Sequence, residues 1–368
     1  MVKLTDLAKV FTKLGLIGFG GPAAHIAMMH KEVVEKRQWM SEAHFLHLLS
    51  VTNLIPGPNS TELAIHIGYD KKGWKGLLVA GLCFILPAVI ITGIFAYFYK
   101  SYGHLPEVQP FIYGIQAGII AVILGAIFPL VQKTLKEWFS ILLCVMIIIA
   151  VLTGINELLV LLASGLLWLF YKNRNQKGIS NILPVSLSIP LEISTINQQL
   201  FWSFLKIGSI LYGSGYVLFA FLNTELVDKG LLTQQQLMDA IAVGQFTPGP
   251  VFSSVSFIGY QINGISGMLI STLAIFLPSF LFVGLIQPLL KWVEKNKLFK
   301  HFLEGLNIAS IGLIIAITIT MAKNTLIHWQ PILIFVITLC VVFAFKKINS
   351  AIVVLGSAVL GYLLYLLF

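Results

Sequence analysis

Pro-Gly-Pro occurs twice in this chain, each time inside a stretch otherwise suited to lipid, and the two stretches are copies of one another. NLIPGPNSTELAIHIGY, Asn53 to Tyr69, is matched by QFTPGPVFSSVSFIGY, Gln245 to Tyr260. Pro56-Gly57-Pro58 corresponds to Pro248-Gly249-Pro250, and Gly68-Tyr69 to Gly259-Tyr260 after the loss of one residue. The correspondence runs on through Gly73 with Gly264, Gly76 with Gly267 and Leu86-Pro87 with Leu277-Pro278. Upstream, Lys13-Leu14-Gly15 faces Lys206-Ile207-Gly208, and Phe19-Gly20-Gly21-Pro22 faces Tyr212-Gly213-Ser214-Gly215. A duplication of this extent restricts the chain to two units of one design.

Those units are built for a bilayer. The chain is 57% hydrophobic and 11% charged, and runs such as Leu77 to Tyr99 and Ile265 to Leu290 carry no charge. At about 20 apolar residues per crossing, 368 residues allow roughly ten crossings of an all-α polytopic membrane protein. The net charge of +9 sits in short clusters between apolar runs, the pattern of topology determinants, and excludes nucleic acid as a partner. Cys83, Cys144 and Cys340 lie inside apolar runs without ligand spacing and read as buried small hydrophobes, so no metal or other cofactor is expected. The opening MVKLTDLAKVFTKLGLIGFGG lacks a small-residue cleavage site and reads as a retained segment.

The expected organisation is a first repeat over residues 1–171, a cytoplasmic linker over 172–199 and a second repeat over 200–368. The linker, KNRNQKGISNILPVSLSIPLEISTINQQ, is too polar and too interrupted by proline to span. Each half is read as an opening crossing, a polar segment, a Pro-Gly-Pro hairpin and four further crossings. In the first half these are Gly73 to Tyr99, Val108 to Gln132, Trp138 to Leu152 and Ile155 to Tyr171. Their counterparts are Ile265 to Leu290, Phe302 to Ala322, His328 to Phe345 and Ser350 to Phe368. Five crossings per half is odd, which makes the repeats inverted. With the linker inside the cell, Lys3, Lys9, Lys13, Lys100, Lys229 and Lys323 fall outside, Lys206 falls within a crossing, and the remaining lysines and arginines fall inside. Both termini are then expected outside a cell membrane.

Proline and glycine inside a membrane segment free backbone groups that need partners in protein or water. The segments Phe45 to Ile55 and Asn59 to Gly68 are too short to span and suit a re-entrant hairpin of two half-helices. Its second half-helix aims N-terminal amides and a positive dipole end at the break, a place suited to an anion. The candidate binding set is Asn53, Pro56, Gly57, Pro58, Asn59, Ser60 and Thr61 in one half, and Gln245, Pro248, Gly249, Pro250, Ser253 and Ser254 in the other. The competing reading is that the polar residues only cap two helices. Lys206, matched by Lys13, stands before a Gly-rich break and is a candidate for anion attraction. Glu62, His25 and His66 are candidates for carrying a proton, since an intramembrane ionisable residue is costly unless function or pairing retains it. The alternatives are a Glu62 paired with Lys71, Lys13 or Lys206, and a His25 that packs as a hydrogen-bonded ring. Gly20, Gly21, Pro22, Gly213 and Gly215 are the expected hinges.

The strings FGGPAAHI, LIPGPNSTELAIHIGY and GLLVAGLCFILP in the first half, with VGQFTPGPVFSSVSFIGY and FLP in the second, resemble the chromate ion transporter family in its two-domain, long-chain form. The resemblance covers the chain from about Leu4 to its last crossing. It implies an inner-membrane carrier that exports chromate, with sulfate as a structural mimic, and that confers chromate resistance. It carries Pro56 to Glu62 and Pro248 to Pro250 into the family's motif. The second half departs from the first: Val251-Phe252-Ser253-Ser254 replaces Asn59-Ser60-Thr61-Glu62, so the halves are expected to contribute unequally.

No G-x-x-x-x-G-K-[ST] segment is present, so a gradient is the expected energy source. An anion channel and a carrier of another oxyanion are the alternatives. A membrane-embedded lipid-phosphate hydrolase would need converging acids and basic groups, and the chain has two arginines, Arg37 and Arg174. A homodimer is compatible with the sequence, although no residue argues for one.

Overall fold

The computed structural model describes residues 2–19, 21–103, 105–174, 195–212, 215–286, 296–345 and 348–367. Most of the inter-repeat linker and two of the expected hinges, Gly20 and Gly213, lie outside them. All the regular structure among these residues is helical. The first half comprises α1 (Leu4–Ile17), α2 (Gly21–His30) running into a π-helical turn (Lys31–Lys36), α3 (Glu42–Thr52), α4 (Asn59–Tyr102), α5 (Gln109–Thr134), α6 (Trp138–Leu152) and α7 (Glu157–Asn173). The second comprises α8 (Ile196–Ile210), α9 (Leu218–Leu222) with a π turn (Asn223–Val227), α10 (Gln234–Phe246), α11 (Ser254–Ile286), α12 (Lys297–Thr325), α13 (Trp329–Ala344) and α14 (Ser350–Leu367).

Among the described residues, five helical segments are long and apolar enough to cross a membrane: Asn59–Tyr102, Gln109–Thr134, Val251–Leu285, Lys297–Thr325 and Ser350–Leu367. Their outward faces leave large apolar side chains bare, as with Leu82, Leu86 and Ile90 on α4 and Leu269 and Leu273 on α11. Apolar rows exposed on this scale belong to a surface wetted by lipid. The chain is a multi-pass membrane protein.

Both α4 and α11 are two helices folded against each other. At Lys72–Gly73 and Asn263–Gly264 the backbone leaves helical geometry and Gly73 and Gly264 take positive φ. The legs close so tightly that a Cβ on Gly68 would stand 2.3 Å from the Gly76 carbonyl oxygen, and one on Gly259 2.4 Å from that of Gly267. The matched glycines in the sequence are therefore a packing requirement of the hairpin.

The long legs of α4 and α11 occupy corresponding places in the two repeats, yet they run in opposite directions. Trp74 meets Gly284, Gly81 meets Phe280, Gly93 meets Met268, and Lys100 lies over the Tyr260 ring. One end of the bundle, here the near end, carries Trp74 and Gly284, and the far end carries Lys100 and Tyr260. The remaining helices are exchanged between repeats. α5 packs on α13 and α14, with Phe111 stacked on Tyr362 at 4.4 Å, while α12 packs on α6 and α7, with Asn173 Nδ2 3.0 Å from His301 Nδ1.

Two expectations are corrected. The opening helix is no full crossing: α1 has 14 residues, about 21 Å, and the chain then doubles back. Lys13 Nζ is 2.7 Å from Glu32 Oε1, whereas 19 residues of continuous helix would set them about 28 Å apart. The Lys206–Glu225 pair folds α8 back in the same way. Secondly, the first described helix starts and the last one finishes at opposite ends of the bundle. α12 begins at the near end after α11, which places His301 and its partner Asn173 there; Asn197 bonds Asn263 at 2.7 Å at the far end. The flanks of the linker thus sit at opposite ends. α14 finishes at the far end, where Tyr362 stacks on the start of α5, and α1, the counterpart of α8, starts at the near end.

Candidate functional site

α3 stops at Thr52 and α4 starts at Asn59, because Pro56 and Pro58 fix φ and withdraw two donors between them. α10 stops at Phe246 for the same reason, with Thr247 Oγ1 donating to the Val243 carbonyl at 2.7 Å. Gly57 and Gly249 take φ of +137° and +91°. His44 Nε2 lies 2.9 Å from Asp70 Oδ1, so α3 and the first leg of α4 form a hairpin whose tip is the Pro-Gly-Pro break.

Each break docks on the opposite repeat. Gly57 N–H donates to the Leu211 carbonyl at 2.8 Å, and Gly249 N–H donates to the Gly18 carbonyl at 2.7 Å. Gly18 and Leu211 cap α1 and α8, so each carbonyl freed by a broken opening helix receives an amide freed by a Pro-Gly-Pro turn. Both contacts lie at mid-height: a Cβ on Gly249 would fall 2.5 Å from Ala88 Cβ, and one on Gly57 would fall 2.8 Å from Ser279 Oγ. Ala88 and Ser279 are themselves corresponding residues on the long legs. The two half-helix starts do not pair with each other; each pairs with the other half's opening break.

The first break is the more polar. Glu62 is fully buried, with Oε1 packed against Gly57 and Ser279. Ser279 Oγ faces the Glu62 carboxyl as its side-chain partner, outside strict hydrogen-bond geometry, and Thr61 Oγ1 has no hydrogen-bond partner among the described residues. Among the described residues no lysine reaches Glu62: Lys71 pairs with Asp70, Lys13 with Glu32 and Lys206 with Glu225. His25, buried, places Nε2 2.9 Å from the Gly18 carbonyl and Nδ1 3.3 Å from Ser60 Oγ, tying the opening break to the half-helix start. Asn59 Nδ2 donates to Asn53 Oδ1 at 2.8 Å across the turn, and Asn53 is exposed. At the second break, Thr92 Oγ1 donates to Ser253 Oγ at 3.4 Å; Gln245, Pro248, Pro250 and Ser254 are buried around it.

Several assignments move. Lys206 does not face a break; it is bound to Glu225, which also takes Lys229. The hinge glycine Gly21 starts α2 at φ +76°, Pro22 follows it on a half-exposed turn, and Gly215 is buried at the start of the turn before α9. His66 is fully buried one turn above Glu62. Sequence reasoning missed Tyr212, whose hydroxyl donates to the Leu54 carbonyl at 2.8 Å, and Ser310, whose hydroxyl donates to the Tyr212 carbonyl at 2.7 Å. It also missed a buried acid, Asp239, which takes hydrogen bonds from the Tyr99 hydroxyl and from Gln116 Nε2 at 2.7 Å.

Comparison with known proteins agrees with this two-fold architecture. A family model described as chromate transporter matches twice, over residues 5–169 and 198–362. The chain is 31% identical to a chromate transport protein of Cupriavidus metallidurans over 98% of its own length and 93% of that protein. It is 31% identical to a probable chromate transport protein of Synechococcus elongatus, over 98% and 96%, and 28% identical to a chromate transport protein of Pseudomonas aeruginosa, over 96% and 91%. No solved structure matches the chain. Two consecutive matches to one family model, each covering a repeat that the helices reproduce, show that the chain belongs to the chromate transporter family.

Proposed function

We propose that the protein is a secondary carrier that exports chromate across the cell's inner membrane, working by alternating access around the two docked breaks. The observation that carries this reading is the reciprocal docking of each Pro-Gly-Pro turn on the other repeat's broken opening helix, beside the buried hydroxyls of Thr61 and Ser279. A tetrahedral dianion suits that place: helix starts, the Thr61 and Ser279 hydroxyls and the Asn53–Asn59 pair supply donors without fixed cations. In inverted repeats, each half rocking against the other opens the same place to opposite sides in turn. The half-helix hairpins are then re-entrant segments that reach the middle of the bilayer.

Glu62 is the coupling group in this scheme. A bare carboxylate buried beside an arriving dianion costs several kcal/mol, so anion binding and protonation of Glu62 favour each other. The membrane potential adds about 2.3 kcal/mol per charge per 100 mV to the outward movement of an anion. Sulfate, of the same shape and charge, is the expected competitor.

The test is chromate uptake into proteoliposomes, with and without excess sulfate and an imposed pH gradient, for wild type, Asn59→Ala and Glu62→Gln. Saturable, sulfate-sensitive flux that falls about tenfold or more in Asn59→Ala, and loses its pH dependence in Glu62→Gln, is the expected result. Normal flux in both variants would make the breaks purely structural. Counterflow separates the carrier from an anion channel, which gives none.

A further inference from the structure

Glu62 is the deepest of a row of ionisable side chains that climbs the first hairpin. Glu62, His66 and Asp70 occupy successive turns of one face on the first leg of α4, a spacing that puts their Cβ atoms about 5–6 Å apart. On α3, opposite them, His44 and His47 sit one turn apart with ring centroids separated by 6.4 Å. His47 is close enough to His66 to act on it electrostatically, and His44 Nε2 lies 2.9 Å from Asp70 Oδ1. Burial falls along the row. Glu62 and His66 are fully buried, whereas the side chains of Asp70 and His44 are 26% and 40% exposed at the near end.

The second hairpin has nothing comparable. No histidine occurs between Gln234 and Asn263; Ser254 stands at the place of Glu62 and Gln261 at that of Asp70. The row is therefore not a by-product of the hairpin fold, which both halves share.

We propose that this row is a proton path joining Glu62 to the near-end solution through His66, His47, His44 and Asp70, while exchange of the same carboxyl with the far side runs through the opened anion site, so that a proton crosses the membrane in each cycle. The inference rests on the carrier reading and names its coupling route. In the unloading direction the Glu62 carboxyl gives its proton to the His66 imidazole, which becomes imidazolium. That ring releases a proton from its other nitrogen to the neighbouring imidazole, and the last acceptor, Asp70 or water beside it, delivers it to solution as hydronium. Loading runs the same steps backwards, and no electrons move.

Other described groups also face the path. Ser279 and Tyr212 face Glu62 from the second repeat, and Ser60 is bonded to His25. Lys71 Nζ lies 2.7 Å from Asp70 Oδ2, which keeps the outer acceptor next to a cation. α2 presents His30 edge-on to Phe45 of α3, with its Nδ1 3.2 Å from Glu35, on a different face from His44 and His47. α1 meets the first leg through Leu63, Ala64 and Ile67, which are apolar.

The experiment uses the full-length protein in proteoliposomes with chromate as probe, and compares two fluxes. Counterflow of chromate needs binding and alternating access without net proton movement; uptake driven by a pH gradient needs the path. His66→Gln and His44→Gln are expected to keep counterflow within about twofold of wild type while losing pH-driven uptake about tenfold or more. A permeant imidazole buffer in the near-end compartment is expected to restore uptake in His44→Gln, where the gap is open to solvent. Unchanged pH-driven uptake in both variants would overturn the proposal, as would parallel loss of both fluxes in both variants, which marks a structural role. Wild type that shows counterflow but no response to pH would sink the path and leave the carrier standing. Wild type without counterflow would sink the carrier itself.

Discussion

At Gly57 the backbone has φ +137°, and a Cβ would meet Glu62 Oε1 at 2.1 Å and Ser279 Oγ at 2.8 Å. Backbone strain in this region alone costs about 1–3 kcal/mol, and the clash falls on the Glu62 carboxyl as well. Gly57→Ala is therefore expected to lower the apparent melting temperature in detergent and to abolish chromate flux. Gly356→Ala, on a helix face where a Cβ meets nothing within 4 Å, is expected to leave both unchanged. Comparable melting and flux in the two variants would remove the break from the mechanism. Glu62 and the Pro-Gly-Pro turns could be picked out from the sequence because a carboxylate and two prolines inside an apolar run contradict their surroundings. Lys206 was misplaced because the repeated lysine was visible but its acid was not sought. Glu32 and Glu225 stand at the same separation from Lys13 and Lys206, and that repeated spacing is the signal a reader could have used. Tyr212 carried no such signal, since its contact with Leu54 joins segments 158 residues apart.

Among the elements, the opening helices were the hardest to read. Their apolar faces look like crossings until the ion pairs show that they turn back. In each repeat, the lysine of α1 or α8 and a cation at the end of the π turn or just after it share one glutamate: Lys13 and Lys36 on Glu32, Lys206 and Lys229 on Glu225. Arg37 adds a third cation to the first cluster at 3.4 Å. The hydrogen bond from Lys13, joined by Lys36 and opposed by partial burial, holds the Glu32 carboxyl down to about 2, against 4.5 for an ordinary glutamate. Because the folded value is depressed, this pair stabilises the fold fully above pH 4.5 and loses its contribution as the pH falls through 2. The difference in melting temperature between wild type and Glu32→Gln should be widest at neutral pH and should shrink below pH 4.5. A difference that stays constant down to the acid limit would mean that Glu32 acts by packing and not by charge. The hairpins of α4 and α11 were easier to anticipate, since paired glycines and a helix-length apolar run specify both the turn and the leg that follows.

At the scale of the whole molecule, the duplication is read directly from sequence, but the direction of each copy depends on how many times the chain turns back. Counting the opening helices as crossings yields two termini on one side. With both openings doubled back, the corresponding long legs of α4 and α11 still run antiparallel, and the termini separate to opposite ends. The lysines and arginines favour this arrangement over the expected one. The segments at the near end hold Lys3, Lys9 and Lys13 together with the clusters at Lys31 to Arg37, Lys71 to Lys75 and Lys172 to Arg174, and the far end holds Lys100, Lys206, Lys229 and Lys323. Moving the first three lysines to the basic side sharpens the asymmetry, and on the positive-inside rule the near end is the one we propose as cytoplasmic. Reporter fusions that are active on only one side of the membrane are therefore expected to read cytoplasmic at Met1 and non-cytoplasmic at Phe368. If both report the same side, one opening helix crosses after all, and the two-fold relation between the docked breaks must be rebuilt. The same sidedness would place Asp70 and His44 at the cytoplasmic surface, where the proton taken up with each bound anion would be drawn from the cell.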